Sequence, residues 1–181
     1  KEFSNYRIII ENISKSFKIY IKYIEWNGLL CYSSKNWVDF NKMEQKTNLI
    51  SAKNGGGKSS FLEIICLGIF GKPIPSRNIK GNAHALICKN KDKDSIPQTA
   101  IHIQIGSYLY RICRFFDNEG KPKQKMGGVY IHNNNLQQWN IVCKDPPKTN
   151  EWVLSNLGDI KSFLMTTMIT QSNDDDFLSM K

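Results

Sequence analysis

The most regular hydrophobic pattern in the chain lies between Thr99 and Phe116, in TAIHIQIGSYLYRICRFF. Ile101, Ile103 and Ile105 alternate with His102 and Gln104; Gly106 and Ser107 interrupt, and Tyr108, Tyr110 and Ile112 resume the alternation. A period of two on both sides of a two-residue glycine turn predicts a β-hairpin. Beyond the polar loop DNEGKPKQKMGG, a second hairpin is expected in VYIHNNNLQQW, turning at Asn133 to Asn135. Upstream, EWNGLLCYSSKNWVDF reads as a turn at Asn27-Gly28, a short strand Leu29 to Tyr32, a loop Ser33 to Asn36 and a strand Trp37 to Phe40.

The pattern changes period after a short apolar strand expected over Thr47 to Ser51. From Lys58 to Phe70, Phe61, Leu62, Ile64, Ile65, Cys66, Leu67, Ile69 and Phe70 are apolar on nearly every helical face. That distribution predicts a helix buried on most sides, with Gly71 as its C-cap and Pro73 as its stop. Between Gly71 and Asp94 the chain is basic and punctuated by glycine and proline. Tyr6 to Tyr23 mixes β-branched residues with lysines and reads as one or two strands or as a helical extension. Asn156 to Thr170 is expected to hold a helix and a strand. The order predicts a mixed α/β domain with an antiparallel component.

Strand and helix are joined by SAKNGGGKSS. This stretch fits the phosphate-loop template GxxxxGK[ST] at Gly57-Lys58-Ser59, with Ala52 where the first glycine belongs. Successive backbone N–H groups must curl around an oxyanion, which needs backbone angles and close approach that Gly55, Gly56 and Gly57 allow. The following helix turns its positive end towards phosphates. Lys58 would reach the β- and γ-phosphates as a point charge, and the Ser59 hydroxyl would ligate Mg²⁺. Ala52 is tolerated at negative φ and strained at positive φ.

Composition narrows the class. At 181 residues, 40% apolar and 11% aromatic, the chain suits roughly one globular domain. Cys31, Cys66, Cys88, Cys113 and Cys143 are scattered singly, which points to a reducing, intracellular setting and away from a zinc ribbon or disulfide framework. His84, His102 and His132 show no metal-ligand spacing, and no apolar run reaches the ~18 residues a membrane span needs. The net charge of +9 comes mainly from 21 lysines. It suits a phosphate-bearing partner such as nucleic acid, and equally a solvated lysine surface. Opening on lysine and stopping after DDDFLSMK, the sequence reads as a piece of a longer chain.

AKNGGGKSS followed by FLEIICLGIFG resembles the ATPase heads of SMC proteins and of SMC-like DNA-repair ATPases, bacterial SbcC and its eukaryotic Rad counterpart among them. Asn54 falls on the asparagine of their GxNGxGKS loop. LLCYSSKNWVDF resembles the first strands of these heads, YLYRICRFF their Y-x-I-x-R strand, and MITQSNDDDFLSM their Q-loop, with Gln171 on the motif glutamine and Phe177-Leu178 leading towards the coiled coil. The interval of 113 residues from Lys58 to Gln171 accommodates a hairpin lobe and is long for a transporter-type ATPase.

The resemblance implies the N-terminal lobe of an ABC-type P-loop NTPase head with an antiparallel β subdomain, over residues 26–181, after an extension over residues 1–25. It implies ATP and Mg²⁺ as cofactors. Asn54, Gly55, Gly56, Gly57, Lys58, Ser59, Ser60, Arg77 and Gln171 would contact nucleotide, and Ser59 and Gln171 the metal. Catalytic acids and the serine-glycine signature belong to a C-terminal half, so this segment alone is expected to be inactive in hydrolysis. The partners implied are that C-terminal half, a second head (a homodimer or an SMC-like heterodimer), double-stranded DNA and a nuclease subunit, with no membrane. The location implied is the nucleus in a eukaryote and the cytoplasm or nucleoid otherwise. Basic stretches Lys72 to Lys93 and Lys121 to Lys125 are candidates for DNA contact. Two alternatives stay open, another P-loop NTPase and a non-hydrolysing nucleotide-binding interaction module.

Overall fold

The computed structural model describes residues 19–43, 49–74, 83–123 and 126–167. Six strands form one antiparallel sheet in the order β2-β1-β3-β4-β5-β6. They are β1 (Ile19–Asn27), β2 (Asn36–Asp39), β3 (Gln98–Ile105), β4 (Tyr108–Phe115), β5 (Gly128–Asn133) and β6 (Gln138–Lys144). Both expected hairpins are present. The β3–β4 pair runs in unbroken register from Gln98↔Phe115 to Ile105↔Tyr108, and β5–β6 turns at residues 134–137.

Alternation decides the two faces. Ile24, Trp26, Ile101, Ile103, Ile112 and Val129 are buried on the inner face. Against them packs α1 (Lys58–Phe70), whose residues match the expected helix at both ends. Gly71 caps it in the left-handed conformation, its N–H donating to Leu67 O at 2.9 Å. Gly68 lets α1 sit directly on β3, since a Cβ there would come within 2.3 Å of Ile101 Cδ1. Two further helices, α2 (Pro146–Leu157) and α3 (Ile160–Thr167), extend the same layer through Val153, Trp152, Phe163 and Leu164.

Several expectations change. β1 begins at Ile19, so residues 19–25, set apart as an extension, belong to a strand flanked by β2 and β3. Its start is obscured in the sequence by lysines and by an irregular register between Ile21 and Tyr23. Leu29 to Tyr32 forms a tight turn, with Leu30 at φ 55°, in place of a short strand. Leu49 to Ser51 has no strand pairing, because no described strand lies alongside to supply hydrogen-bond partners. In the region Asn156 to Thr170, where a helix and a strand were expected, residues 160–167 are helical, and residues 168–170 lie outside the described residues. No described helix is long and apolar enough to cross a membrane.

His102 shows how the outer face of the sheet is covered. Its ring lies 5.0 Å from that of Tyr23 and 5.1 Å from that of Trp139. Burial, helped by the Arg111 cation, lowers its pKa to about 4. An unfolded histidine takes up its proton near pH 6.5, so between about pH 6.5 and 4 the unfolded chain binds more protons. Stability therefore falls as pH drops through that window. Denaturant midpoints measured at pH 7 and pH 4.5 are expected to differ less for His102→Phe than for the wild type.

Candidate phosphate-binding site

The glycine loop is shaped from both ends. On its N-terminal side, Gly56 N donates to Lys53 O at 2.9 Å, closing a turn around Asn54 and Gly55. Gly55 (φ 79°) and Gly57 (φ 87°) lie in the region that side chains disfavour. Gly56 is needed for space, since a Cβ there would meet Ala52 Cβ and Lys53 O at 2.9 Å. Ala52 has no positive φ. The alanine in place of the template glycine thus carries no backbone strain, while its methyl makes Gly56 obligatory.

On the C-terminal side the loop runs straight into α1, with Gly57 as N-cap. Gly57 O accepts from Phe61 N at 2.9 Å, which begins the helical ladder. The N–H groups of the first turn, at Lys58, Ser59 and Ser60, have no acceptor within the helix and carry its positive end. Lys58 reaches back over the loop, its Nζ donating to Ala52 O at 2.7 Å and Lys53 O at 3.1 Å. Asn54, Gly55, Gly56, Lys58 and Ser59 are exposed, and Gly57 and Ser60 are partly so. The arrangement brings main-chain donors, one ammonium and a hydroxyl to one accessible loop.

A brace from the first strands holds the loop in place. Leu30 N donates to Leu86 O at 2.8 Å and Cys88 N to Gly28 O at 3.0 Å, which anchors the turn after β1. Tyr32 projects from that turn and donates its hydroxyl to Gly57 O at 3.0 Å. Trp26 packs edge-on against the Tyr32 ring at 5.1 Å and against Phe61 at 5.5 Å. Burial raises the Tyr32 pKa.

The far end of α1 is held by Arg114 on β4. Its Nε donates to Gly68 O at 3.1 Å, Nη2 to Ile69 O at 2.6 Å, and Nη1 to Asn150 Oδ1 of α2 at 2.9 Å. A cation there complements the negative end of the helix. Burial lowers its pKa to about 10, so it is charged at neutral pH. Glu63, fully buried in mid-helix, accepts from Ile74 N at 2.7 Å and secures the chain beyond the cap. Arg114 is the arginine of the Y-x-I-x-R match in YLYRICRFF, whose role as a helix support the sequence does not state; for Glu63 a lone carboxylate in an otherwise apolar helix was the available signal.

Residues 52–60 lie together in the loop and the first turn of α1, whereas Arg77 and Gln171 lie outside the described residues. The basic loops are partly occupied with themselves. Lys91 Nζ donates to Asp92 O and Ser95 O at 3.2 and 3.1 Å, and Lys121 pairs with Glu119 at 2.7 Å. Lys93 and Lys123 border a depression that Asp94 and Asp117 also line.

The AAA_23 family, described as an AAA domain, matches residues 23–179. This chain belongs to that family. Its fold is also that of a solved chain described as "Structural biochemistry of ATP-driven dimerization and DNA stimulated activation of SMC ATPases", with a TM-score of 0.59 and 16% sequence identity over 90% of this chain and 92% of that one. Among curated proteins, Exonuclease subunit 2 of Escherichia phage RB69 is 38% identical over 66 residues, which is 36% of this chain. The chain spans only 11% of that relative's length. The AAA_23 domain here thus has an α/β fold similar to that of the SMC ATPase structure, with its strands in one antiparallel sheet and the glycine loop running into α1.

Proposed function

We propose that this AAA_23 chain is the ATP-binding half of an SMC-like ATPase, in which binding of ATP draws two heads together and that engagement controls a hold on DNA. The carrying observation is Lys58 folded across a loop whose glycines take positive φ at the front of a buried helix. The residues fit a polyphosphate. Asn54 to Ser60 would hold it through main-chain N–H groups and the Lys58 ammonium, which would exchange two carbonyls for phosphate oxygens. The Ser59 hydroxyl and Gln171 would hold Mg²⁺, which when bound offsets phosphate charge. Arg77 would lie near nucleotide or DNA.

Hydrolysis in this reading needs a C-terminal half and a second head. Leu49 is 92% exposed and Ile50 55% exposed, directly before the loop, an apolar pair that suits covering by the rest of a head. The structural neighbour's description speaks of ATP-driven dimerization and DNA-stimulated activation, and the phage relative is an exonuclease subunit. Both support a second head, DNA and a nuclease as partners. The reading carries an intracellular location with it, in the nucleus of a eukaryote or in the cytoplasm or nucleoid otherwise.

Titration with ATP and Mg²⁺ by calorimetry tests the reading. The wild type is expected to bind, and Lys58→Ala to lose about 30-fold or more in affinity, since a hydrogen bond to a charged group contributes roughly 1.5–3 kcal/mol. Equal affinity in the two proteins would mark the loop as a relic.

A further inference from the structure

Among the described residues, all three α-helices lie on the inner face of the sheet. An antiparallel sheet ordinarily turns a polar, solvated face the other way. Here the register places Trp37 beside Glu25, Tyr23 beside His102, His102 beside Arg111, Arg111 beside Tyr130 and His132 beside Trp139, all on the outer face. Their rings run in a continuous band. Trp37 and Tyr23 are 6.4 Å apart and nearly parallel at 16°. Tyr23 meets His102 at 5.0 Å, His102 meets Trp139 at 5.1 Å, and Trp139 meets His132 at 5.0 Å. Trp37, at the β2 end, is 55% exposed.

Charge selects the occupant. Glu25 is engaged by Lys35 at 3.2 Å and by Arg111 at 3.3 Å. Asp39 is engaged by Lys42 at 3.7 Å and caps Asn41 N at 3.0 Å. Lys42 Nζ also stands 5.5 Å from the centre of the Trp37 ring, and Lys22 stands 5.4 Å from that of Tyr20. The two carboxylates beside Trp37 are therefore neutralised by Lys35, Arg111 and Lys42, and with Lys22 the cations outnumber them by two around the exposed rings of Trp37 and Tyr20, on a chain of net charge +9. Flat rings edged by cations suit unpaired bases on a phosphate backbone. A duplex keeps its bases stacked inside and offers these rings nothing.

We propose that the outer face around Trp37 and Tyr23 is a stacking platform for single-stranded DNA, with Lys22, Lys35, Lys42 and Arg111 facing its phosphates. The choice of DNA rests on the function proposed above; the place and the strandedness come from the rings and charges. Binding here is distinct from the glycine loop and does not use Lys58.

Fluorescein-labelled (dT)15 titrated with the whole chain tests this, followed by anisotropy and by quenching of tryptophan emission. Binding with quenching is expected. Trp37→Ala is expected to weaken it about tenfold and Trp37→Phe much less, because a ring suffices. Lys42→Gln is expected to lower the log–log salt slope by about 0.7. Lys58→Ala should bind (dT)15 like the wild type while losing ATP, so failure of the platform and failure of the nucleotide reading are told apart. Equal competition by a duplex of the same length, undiminished binding by Trp37→Ala, or preference for (rU)15 would overturn the proposal. So would self-association of the wild type through this face that Trp37→Ala abolishes without changing (dT)15 binding.

Discussion

Replacing Arg114 by alanine is expected to lower the melting temperature of the chain by about 10 °C, the largest single effect on stability foreseen. The guanidinium satisfies two carbonyls at the end of α1 and ties them to Asn150 of α2. Removing it strands buried acceptors, each costing about 1–3 kcal/mol. A total of ~3–5 kcal/mol matches the cost of breaking other buried charged networks. At roughly 2–4 °C per kcal/mol for a domain of this size, the shift follows. Arg114→Lys should recover only part of it, because one ammonium cannot span three acceptors held by a planar fork. Calorimetric melting of the three proteins measures both steps. A fall under 3 °C for Arg114→Ala would show that the network stabilises little. ATP affinity should change far less than stability, since Arg114 acts at the end of α1 away from the glycine loop.

Among the three glycines of that loop, Gly57→Ala is expected to have the largest effect. An alanine held at φ 87° is strained by ~1–2 kcal/mol. Its Cβ would also come within 2.8 Å of the Tyr32 hydroxyl and 3.1 Å of Cys31 Sγ. Tyr32 must then leave Gly57 O, losing a hydrogen bond of about 1 kcal/mol. The expected outcome is a loss of ~2–3 kcal/mol in stability, with ATP affinity lowered tenfold or more as the loop is displaced. Gly55→Ala separates the causes. It has φ 79° but nothing within 4 Å of its would-be Cβ, so only the backbone strain applies. Denaturant unfolding and ATP titration of the two variants side by side decide whether the Tyr32 brace matters. Ala52→Gly should not raise affinity, since Ala52 carries no positive φ, and should lower stability by roughly 0.4–1 kcal/mol through the unfolded chain.

The helix from Lys58 to Phe70 was legible to the residue because its determinants are local: three glycines before it, an apolar surface all round and Gly71 after it. The β3–β4 hairpin was legible for the same reason, a period of two broken by Gly106-Ser107. α2 could have been read from Asp145-Pro146-Pro147, an N-cap followed by prolines in the first turn, but its hydrophobic stripe is reduced to Val153 and a few partly buried neighbours. β1 was harder to delimit. Its lysines and its irregularity at Ile21 and Tyr23 hide the alternation until β2 and β3 are seen on either side.

The glycine loop, the helix behind it and both hairpins were settled by short-range chemistry, in which backbone angles, caps and side-chain period act within a few residues. The brace of Tyr32 on Gly57, the grip of Arg114 on Gly68 and Ile69, and the ring band from Trp37 to His132 were settled only by the tertiary structure. The first two join groups 25 or more residues apart in sequence, and the band draws its rings from β1, β2, β3, β5 and β6. Which of them meet depends on strand order and on which face α1 covers, because burying an apolar face is a property of the whole sheet.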